Sequence, residues 1–356
     1  MRKNQVIIGI ILLTFLSACS NTNVENDPSI IERLDNNEYS MILPFEASQI
    51  RQYHGTYLGR ADFLEIGSRL EDKSKEYFDV DEYYLSEGQV ISNADLSKLV
   101  KRESSDNPYG LNPPSGSQFL VGTSDISVTD AVVVADIMEI DFHQQAGGEI
   151  NLAGMSFAIV LNQSLNTDNG LVTVTDQVLY DYGSNMGRKL DRYIRSLSDM
   201  EDMPLYITLY VTNPSDATLP GRFIADGYFT ARGGQFAQNN EQWVLFPSAQ
   251  ATSLDAGLAD KFNSFKTSIT EFIPESVGVI GEARYVDNTT DFLRITLTIQ
   301  AKTYAEIRGL TQYATELLQD IDQRDYPIIV RINSISETLV LIQLSEDDEL
   351  SVIYTY

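Results

Sequence analysis

One cysteine, one tryptophan and two histidines in 356 residues leave few of the side chains from which metal sites and nucleophilic catalysts are usually built. The lone thiol, Cys19, cannot close a disulfide within the chain, so the fold must be held by packing. His54 and His143 lie far apart in sequence, and neither sits in an HExxH or HxH setting. The G-x-S-x-G elbow, the G-x-x-x-x-G-K-[ST] loop and a G-x-G-x-x-G after a strand are missing, and with them the usual signatures of hydrolase and nucleotide chemistry. No metal and no cofactor is expected. Positive charge is also scarce: 25 lysines and arginines face 51 aspartates and glutamates, a formal charge of −26. A surface this acidic opposes both nucleic acid as a partner and direct docking on anionic lipid headgroups. Apolar residues make up 43% of the chain, enough for one large or two medium domains.

The one long apolar run, Val6 to Leu16, is too short to span a bilayer. It follows Arg2 and Lys3 and leads into Leu16-Ser17-Ala18-Cys19, which reads as a signal peptide over residues 1–18 with a charged region, an apolar region and small residues before the cut. The cut between Ala18 and Cys19 falls directly before the only cysteine, which resembles a bacterial lipobox. That motif implies acylation (palmitate) of Cys19 and attachment to the outer face of a Gram-positive cell membrane through the lipid, with the enzymes of the lipoprotein pathway as processing partners. The bland alternative is an incidental thiol after a buried apolar segment. Cleavage also releases a peptide ending in Leu12, Leu13, Thr14, Phe15, Leu16, Ser17 and Ala18. Residues 19–38 are polar and poor in aromatics, as a lipidated tether would be, and a flexible chain of that length reaches about 25 Å root-mean-square.

The remainder predicts an α+β fold of two tandem β-α-β-β repeats, each a sheet packed by an amphipathic helix, with an N-terminal mixed segment. The first repeat and that segment occupy residues 39–235, the second 236–356. Within 39–117 one or two helices are expected, one announced by a capping box at Ser92-x-x-Asp95. Asn107 to Pro114 then reads as a rigid connector or a recognition loop. In the first repeat a strand over 150–161 precedes a helix over 178–197, whose Leu179, Tyr182, Met186, Leu190, Ile194 and Leu197 share one face. Pro204 introduces the strand LYITLYV, and GRFIADGYFTA follows. In the second, a strand over 292–299 precedes a helix over 305–321 with a capping box at Thr303-x-x-Glu306, Pro327 introduces IIVRINS, and TLVLIQL follows. Gly183 and Gly187 suit close approach of helix to sheet. A further helix carries Leu258, Phe262, Phe265, Ile269 and Phe272 on one face and stops at Pro274. Trp243, beside Val244, Leu245 and Phe246, reads as core, with ligand stacking as the alternative.

Eight stretches occur in an order that resembles the CamS family of sex-pheromone lipoproteins of Firmicutes: LPFEASQIR (43–51), GRADFLEIG (59–67), EGQ (87–89), NPYGLNP (107–113), LPGRFI (219–224), WVLFPS (243–248), VGVIGEARY (277–285) and GLTQYATELL (309–318). The resemblance implies a lipid-anchored extracellular protein of two related repeats. It also implies a signal peptide whose last seven residues, here Leu12 to Ala18, act as a mating pheromone for conjugative plasmid transfer. This heptapeptide departs from the strongly aliphatic family pattern at Thr14 and Ser17. The resemblance implies no catalytic residues.

Two readings of the mature protein compete. A non-enzymatic ligand-binding or interaction module would use an apolar and aromatic cleft between the repeats. A carboxylate-dependent hydrolase acting on a cell-envelope polymer would place two facing acids there. The acidic runs Asp79 to Glu82 and Glu346 to Glu349 lack the spacing of a calcium loop, and Asp287 to Asp291 reads as a hairpin loop. Cys19→Ala should abolish incorporation of labelled palmitate and leave the uncut precursor; labelling that persists in the variant would contradict the anchor.

Overall fold

The computed structural model describes residues 28–50, 62–122, 126–167, 169–213, 218–272, 277–300, 303–321 and 324–356. Residues 12–18, Cys19, His54 and Pro274 therefore lie outside the described residues. In chain order the first elements are β1 (Ser29–Ile31), β2 (Ser40–Leu43), α1 (Phe63–Ser74), β3 (Tyr84–Glu87), α2 (Asn93–Leu99), β4 (Gln118–Leu120), β5 (Ser127–Thr129), β6 (Val134–Ala146) and β7 (Glu149–Asn162). Next come β8 (Ser164–Thr167), β9 (Gly170–Thr173), α3 (Asp176–Arg195), β10 (Leu205–Thr212), β11 (Arg222–Thr230), β12 (Gly233–Gly234) and β13 (Ala237–Gln238). The last are β14 (Glu241–Phe246), α4 (Ala249–Leu254), α5 (Ala256–Phe272), β15 (Gly278–Val286), β16 (Thr289–Thr298), α6 (Tyr304–Leu318), β17 (Ile328–Asn333), β18 (Thr338–Leu344) and β19 (Leu350–Tyr354).

This is a mixed α+β fold, mostly sheet, with six helices among the described residues. A large sheet runs β1-β2-β3-β6-β7-β10-β11-β12, with β13 also on β11; a smaller one runs β14-β15-β16-β17-β18-β19. β7 and β10 are parallel, as are β16 and β17, and helices α3 and α6 make the respective crossovers. The large sheet is covered on both faces. α3 lays Leu179, Leu190 and Ile194 on one side, and α1 lays Ile66 and Leu70 on the other. The small sheet is covered on one face by α5 and α6, through Phe262, Phe265, Leu310 and Ala314.

Local chemistry sets the element ends. Thr175 caps α3 by accepting the Val178 N–H, and the capping boxes at Ser92 and Thr303 are both formed. Close helix-to-sheet approach explains the two glycines of α3: a methyl at Gly183 would stand 2.8 Å from a Leu209 methyl, and one at Gly187 would run into the Phe236 ring. Asp287 and Asn288, both at positive φ, form the two-residue turn between β15 and β16. The expected DNTTD loop is thus shorter, because Thr289 to Asp291 already belong to β16.

Asn107 to Pro114 is a pinned connector. Asn112 donates to the Val100 and Val134 carbonyls at 2.8 Å each, and its Oδ1 accepts the N–H groups of Val133 and Val134 at 2.7 and 2.9 Å. The Tyr182 hydroxyl holds the Leu111 carbonyl at 2.6 Å and Lys189 holds the Gly110 carbonyl at 3.0 Å, so the strap is bonded down onto α3.

Two long strands, β6 and β15, are absent from the expected elements, although β15 alternates with Val279, Ala283 and Tyr285 buried. Strand β6 carries Asp136, Glu139 and Asp141, all buried, so its charge pattern does not read as core. Glu139 accepts the N–H groups of Val90 and Ile91 at 2.9 Å each, and Asp141 accepts that of Gln89 at 2.9 Å. The acids therefore anchor the segment after β3, where a methyl at Gly88 would lie 2.5 Å from the Glu139 side chain. Strand β1 likewise lies inside the stretch that composition assigns to a tether, with Ile30 opposite Ile42.

Burial pushes the Asp136 carboxyl up to about 7. The native state therefore holds this proton more tightly than the unfolded chain, and the stabilisation it brings is present below pH ~4 and lost as pH rises through ~7. Asp136→Asn should gain stability on the wild type between pH 4 and pH 8, by up to about 4 kcal/mol for a shift of this size. Urea unfolding across that range measures it; a difference that does not change with pH would contradict it.

Candidate ligand cleft between the two sheets

The chain leaves the large sheet at β13 and enters the small one at β14 after only Asn239 and Asn240. The Asn239 N–H donates to the Ile224 carbonyl at 2.8 Å, and the Asn240 carbonyl accepts the Asp287 N–H at 3.3 Å, so each residue is bonded to a different sheet. Helix α1 closes the junction. Its N-cap Asp62 accepts the N–H groups of Leu64 and Glu65, and its buried Ile66 and Leu70 seat it on the large sheet. That placement directs Arg69 at the first residue of β14.

Arg69 donates to Glu65 Oε1 at 3.1 Å and, through Nη2, to Glu241 Oε1. The same Glu241 oxygen accepts the Phe223 N–H at 3.3 Å. The Arg69 guanidinium stacks 4.7 Å from the Phe223 ring centroid and 6.0 Å from that of Trp243. The two side chains are only 9% and 2% exposed, so this is an ion pair taken out of water and compensated by further hydrogen bonds. Trp243 is buried among cations. Arg284 and Arg294 lie 5.8 and 5.7 Å from its ring and are themselves held by Asp291 and Glu282. The packing reading of Trp243 holds, at the junction, and its indole N–H finds no acceptor among the described residues.

Beside the pair opens a cleft of ≈ 600 Å³. Its lining comprises Asp176, Asn213, Leu219, Pro220 and Arg222 from the part of the chain that builds the large sheet, and Asn240, Glu241, Gln242, Trp243, Gln250 and Asn288 from the connection and the part that builds the small one. The cleft does lie between the sheets, but its lining differs from both expectations. It is rich in amides rather than apolar and aromatic, and its two acids are each engaged by an arginine, Asp176 by Arg222 and Glu241 by Arg69. Arg69 and Glu241 carry no sequence motif. The one available signal is a charge at position 69 between the apolar Ile66 and Leu70 of an amphipathic stretch.

The other singled-out residues lie elsewhere. His143 lines a separate cavity of ≈ 290 Å³ with Ile42, Phe45, Ser86, Gln89 and Ile150. Its Nδ1 is 3.5 Å from the Ser86 hydroxyl, and burial holds its pKa below the usual histidine value. In the acidic runs Asp81 pairs with Arg33, and Asp348 with Arg324. Among the described residues no group of three His, Cys, Asp or Glu is placed to hold a metal ion.

The family model described as the CamS sex pheromone cAM373 precursor matches residues 45–349. A sex pheromone precursor from Lactobacillus salivarius has a similar fold, with a TM-score of 0.76 at 22% identity over 92% of this chain and 99% of that one. The C-terminal domain of the staph-cAM373 precursor from Staphylococcus aureus is also similar, with a TM-score of 0.67 at 23% identity over 82% of this chain and 96% of that one. No curated protein matches the sequence.

Glu241→Gln should destabilise the fold by about 3 kcal/mol, because the buried guanidinium loses its fully buried carboxylate and keeps only the more exposed Glu65. Replacing both partners, Arg69→Met with Glu241→Leu, should restore most of that loss. Urea unfolding of the three proteins decides the matter; a double variant as unstable as Glu241→Gln would contradict the pairing.

Proposed function

Because the chain belongs to the CamS sex pheromone precursor family, we propose that it is a precursor with two products, separated by a cut between Ala18 and Cys19. The upstream product is the heptapeptide Leu12 to Ala18. The downstream product is an acidic protein held on the outer face of the membrane by lipid on Cys19. The family match begins at residue 45, so the cut and the anchor rest on the lipobox-like stretch Leu16 to Cys19 and on the apolar run before it. A lipid suits a protein of formal charge −26, since acyl chains supply the membrane affinity that its own surface opposes.

For the downstream product we infer a binding module that uses the cleft between the sheets. The observation that carries this reading is the state of the cleft's carboxylates. A glycosidase-type pair needs one acid free to donate a proton and a second free to attack or to activate water. Asp176 and Glu241 are instead both committed to arginines. Binding is favoured over hydrolysis on that ground.

We also read the two sheets as copies of one unit, each with an extra strand ahead of the expected β-α-β-β plan. Matching ladder irregularities support this. The β10/β11 register shifts at Leu209/Tyr210 and the β17/β18 register at Ile332/Asn333, positions separated by the same 123 residues as Pro204 and Pro327. The carbonyls of those two prolines accept the N–H groups of Met155 and Leu293, at 3.1 and 3.2 Å. Duplication supplies a physical origin for a cleft, since two similar sheets joined by a two-residue connection leave a seam.

Mass spectrometry of medium from a strongly expressing culture should detect Leu-Leu-Thr-Phe-Leu-Ser-Ala, and Cys19→Ala should suppress it. Equal amounts of the peptide from both strains would contradict the shared cut.

A further inference from the structure

We propose that the cleft between the sheets takes an uncharged, hydroxyl- and acetamido-bearing glycan; this rests on the reading of that cleft as the ligand site. The choice of class follows from what the lining offers once its internal bonds are counted. Its charges cancel locally: Arg222 holds Asp176 and Arg69 holds Glu241. An anionic ligand would meet those two carboxylates and a cationic one would meet the guanidinium of Arg222, so neither sign of charge is rewarded.

What remains available is amide chemistry. The Asn240 amide nitrogen donates to Asp287 at 2.9 Å, and the Gln242 amide nitrogen donates to Asn288 at 3.3 Å. Those bonds leave the Asn240 and Gln242 side-chain oxygens as acceptors and the Asn288 nitrogen as a donor. Gln250, exposed on the short helix α4, brings a further acceptor and donor. The lining thus offers both donors and acceptors. A sugar hydroxyl, which can both donate and accept, and an acetamido group, which offers one of each, fit such a lining without leaving a partner unmatched. Leu219 and Pro220 in the same lining give an apolar surface for the C–H face of a pyranose. A volume of ≈ 600 Å³ falls within the range of small-ligand sites, and an open cleft admits a segment of a longer polymer.

Trp243 is the only tryptophan in the chain and it lines this cleft, so its emission reports on this site alone. The full-length chain in detergent should show a saturable change in tryptophan emission when titrated with tetra-N-acetylchitotetraose. Gln242→Ala, Gln250→Ala and Asn288→Ala combined should weaken that binding at least tenfold. His143→Ala, which alters the separate cavity, should leave it unchanged. No saturable change with the glycan, or a change that the triple variant keeps in full, would overturn the inference. If an uncharged Ala-Ser tetrapeptide instead gives a saturable change that the triple variant loses, the glycan class fails while the cleft stands as a ligand site. If neither probe produces a response, both readings fail.

Discussion

Much of this structure depends on one buried charge pair. Arg69, on a helix seated on the large sheet, and Glu241, the first residue of the small sheet, meet where neither side chain is solvated. Burying two ions costs several kcal/mol each, and the cost is offset only if geometry and supporting hydrogen bonds are good. Here Glu65 and the Phe223 N–H supply those bonds, and the rings of Phe223 and Trp243 flank the guanidinium. Removing Arg69 would leave the buried Glu241 carboxylate without its arginine, and removing Glu241 would leave Arg69 with the more exposed Glu65 alone, so the pair favours one placement of the sheets. A hydrophobic contact of equal area would allow more sliding, because apolar contact is not directional. The rigid element is also a wall of the cleft, and this is how a packing constraint becomes a functional one.

How much of this was legible in the sequence varied with the physical signal. Where one face of an element is apolar and the other solvated, the pattern was clear: Leu179, Leu190 and Ile194 announced α3, and Ile307, Leu310 and Ala314 announced α6. Capping residues Ser92 and Thr303 stood at the ends they mark. Strand β6 escaped because Glu139 and Asp141 occupy core positions, where their partners are backbone N–H groups of residues 89 to 91, which no local pattern reveals. The cleft escaped for a related reason. Its amides come from residues as distant as Asn213 and Asn288, gathered by the turn at Asp287–Asn288 and by the short β13–β14 connection, and Asn and Gln in loops carry no periodicity. A cleft between two sheets could be anticipated from the two expected repeats, but the chemistry of its lining could not.

Family, fold and cleft fit one picture of division of labour. Under the proposed cut, an upstream peptide would need only correct processing and so would place no demand on the folded protein. The acidic folded part would then be free to serve another role, and an acidic surface outside a locally neutral, amide-lined cleft disfavours non-specific adhesion to other polyanions. Stretches on which the family resemblance rests meet at that junction. LPGRFI supplies Leu219, Pro220 and Arg222, WVLFPS supplies Trp243, and GRADFLEIG contains the start of the helix that carries Arg69.

The claim that the Arg69–Glu241 pair fixes the two sheets relative to each other is tested most directly by a spin-label distance. Labels at exposed positions Asn151 on β7 and Gln343 on β18, in a Cys19→Ser background, report the separation of the two sheets. The wild-type pair should give one narrow distance distribution, and Arg69→Met should broaden it while the fold remains intact by circular dichroism. An equally narrow distribution in folded Arg69→Met would contradict the account.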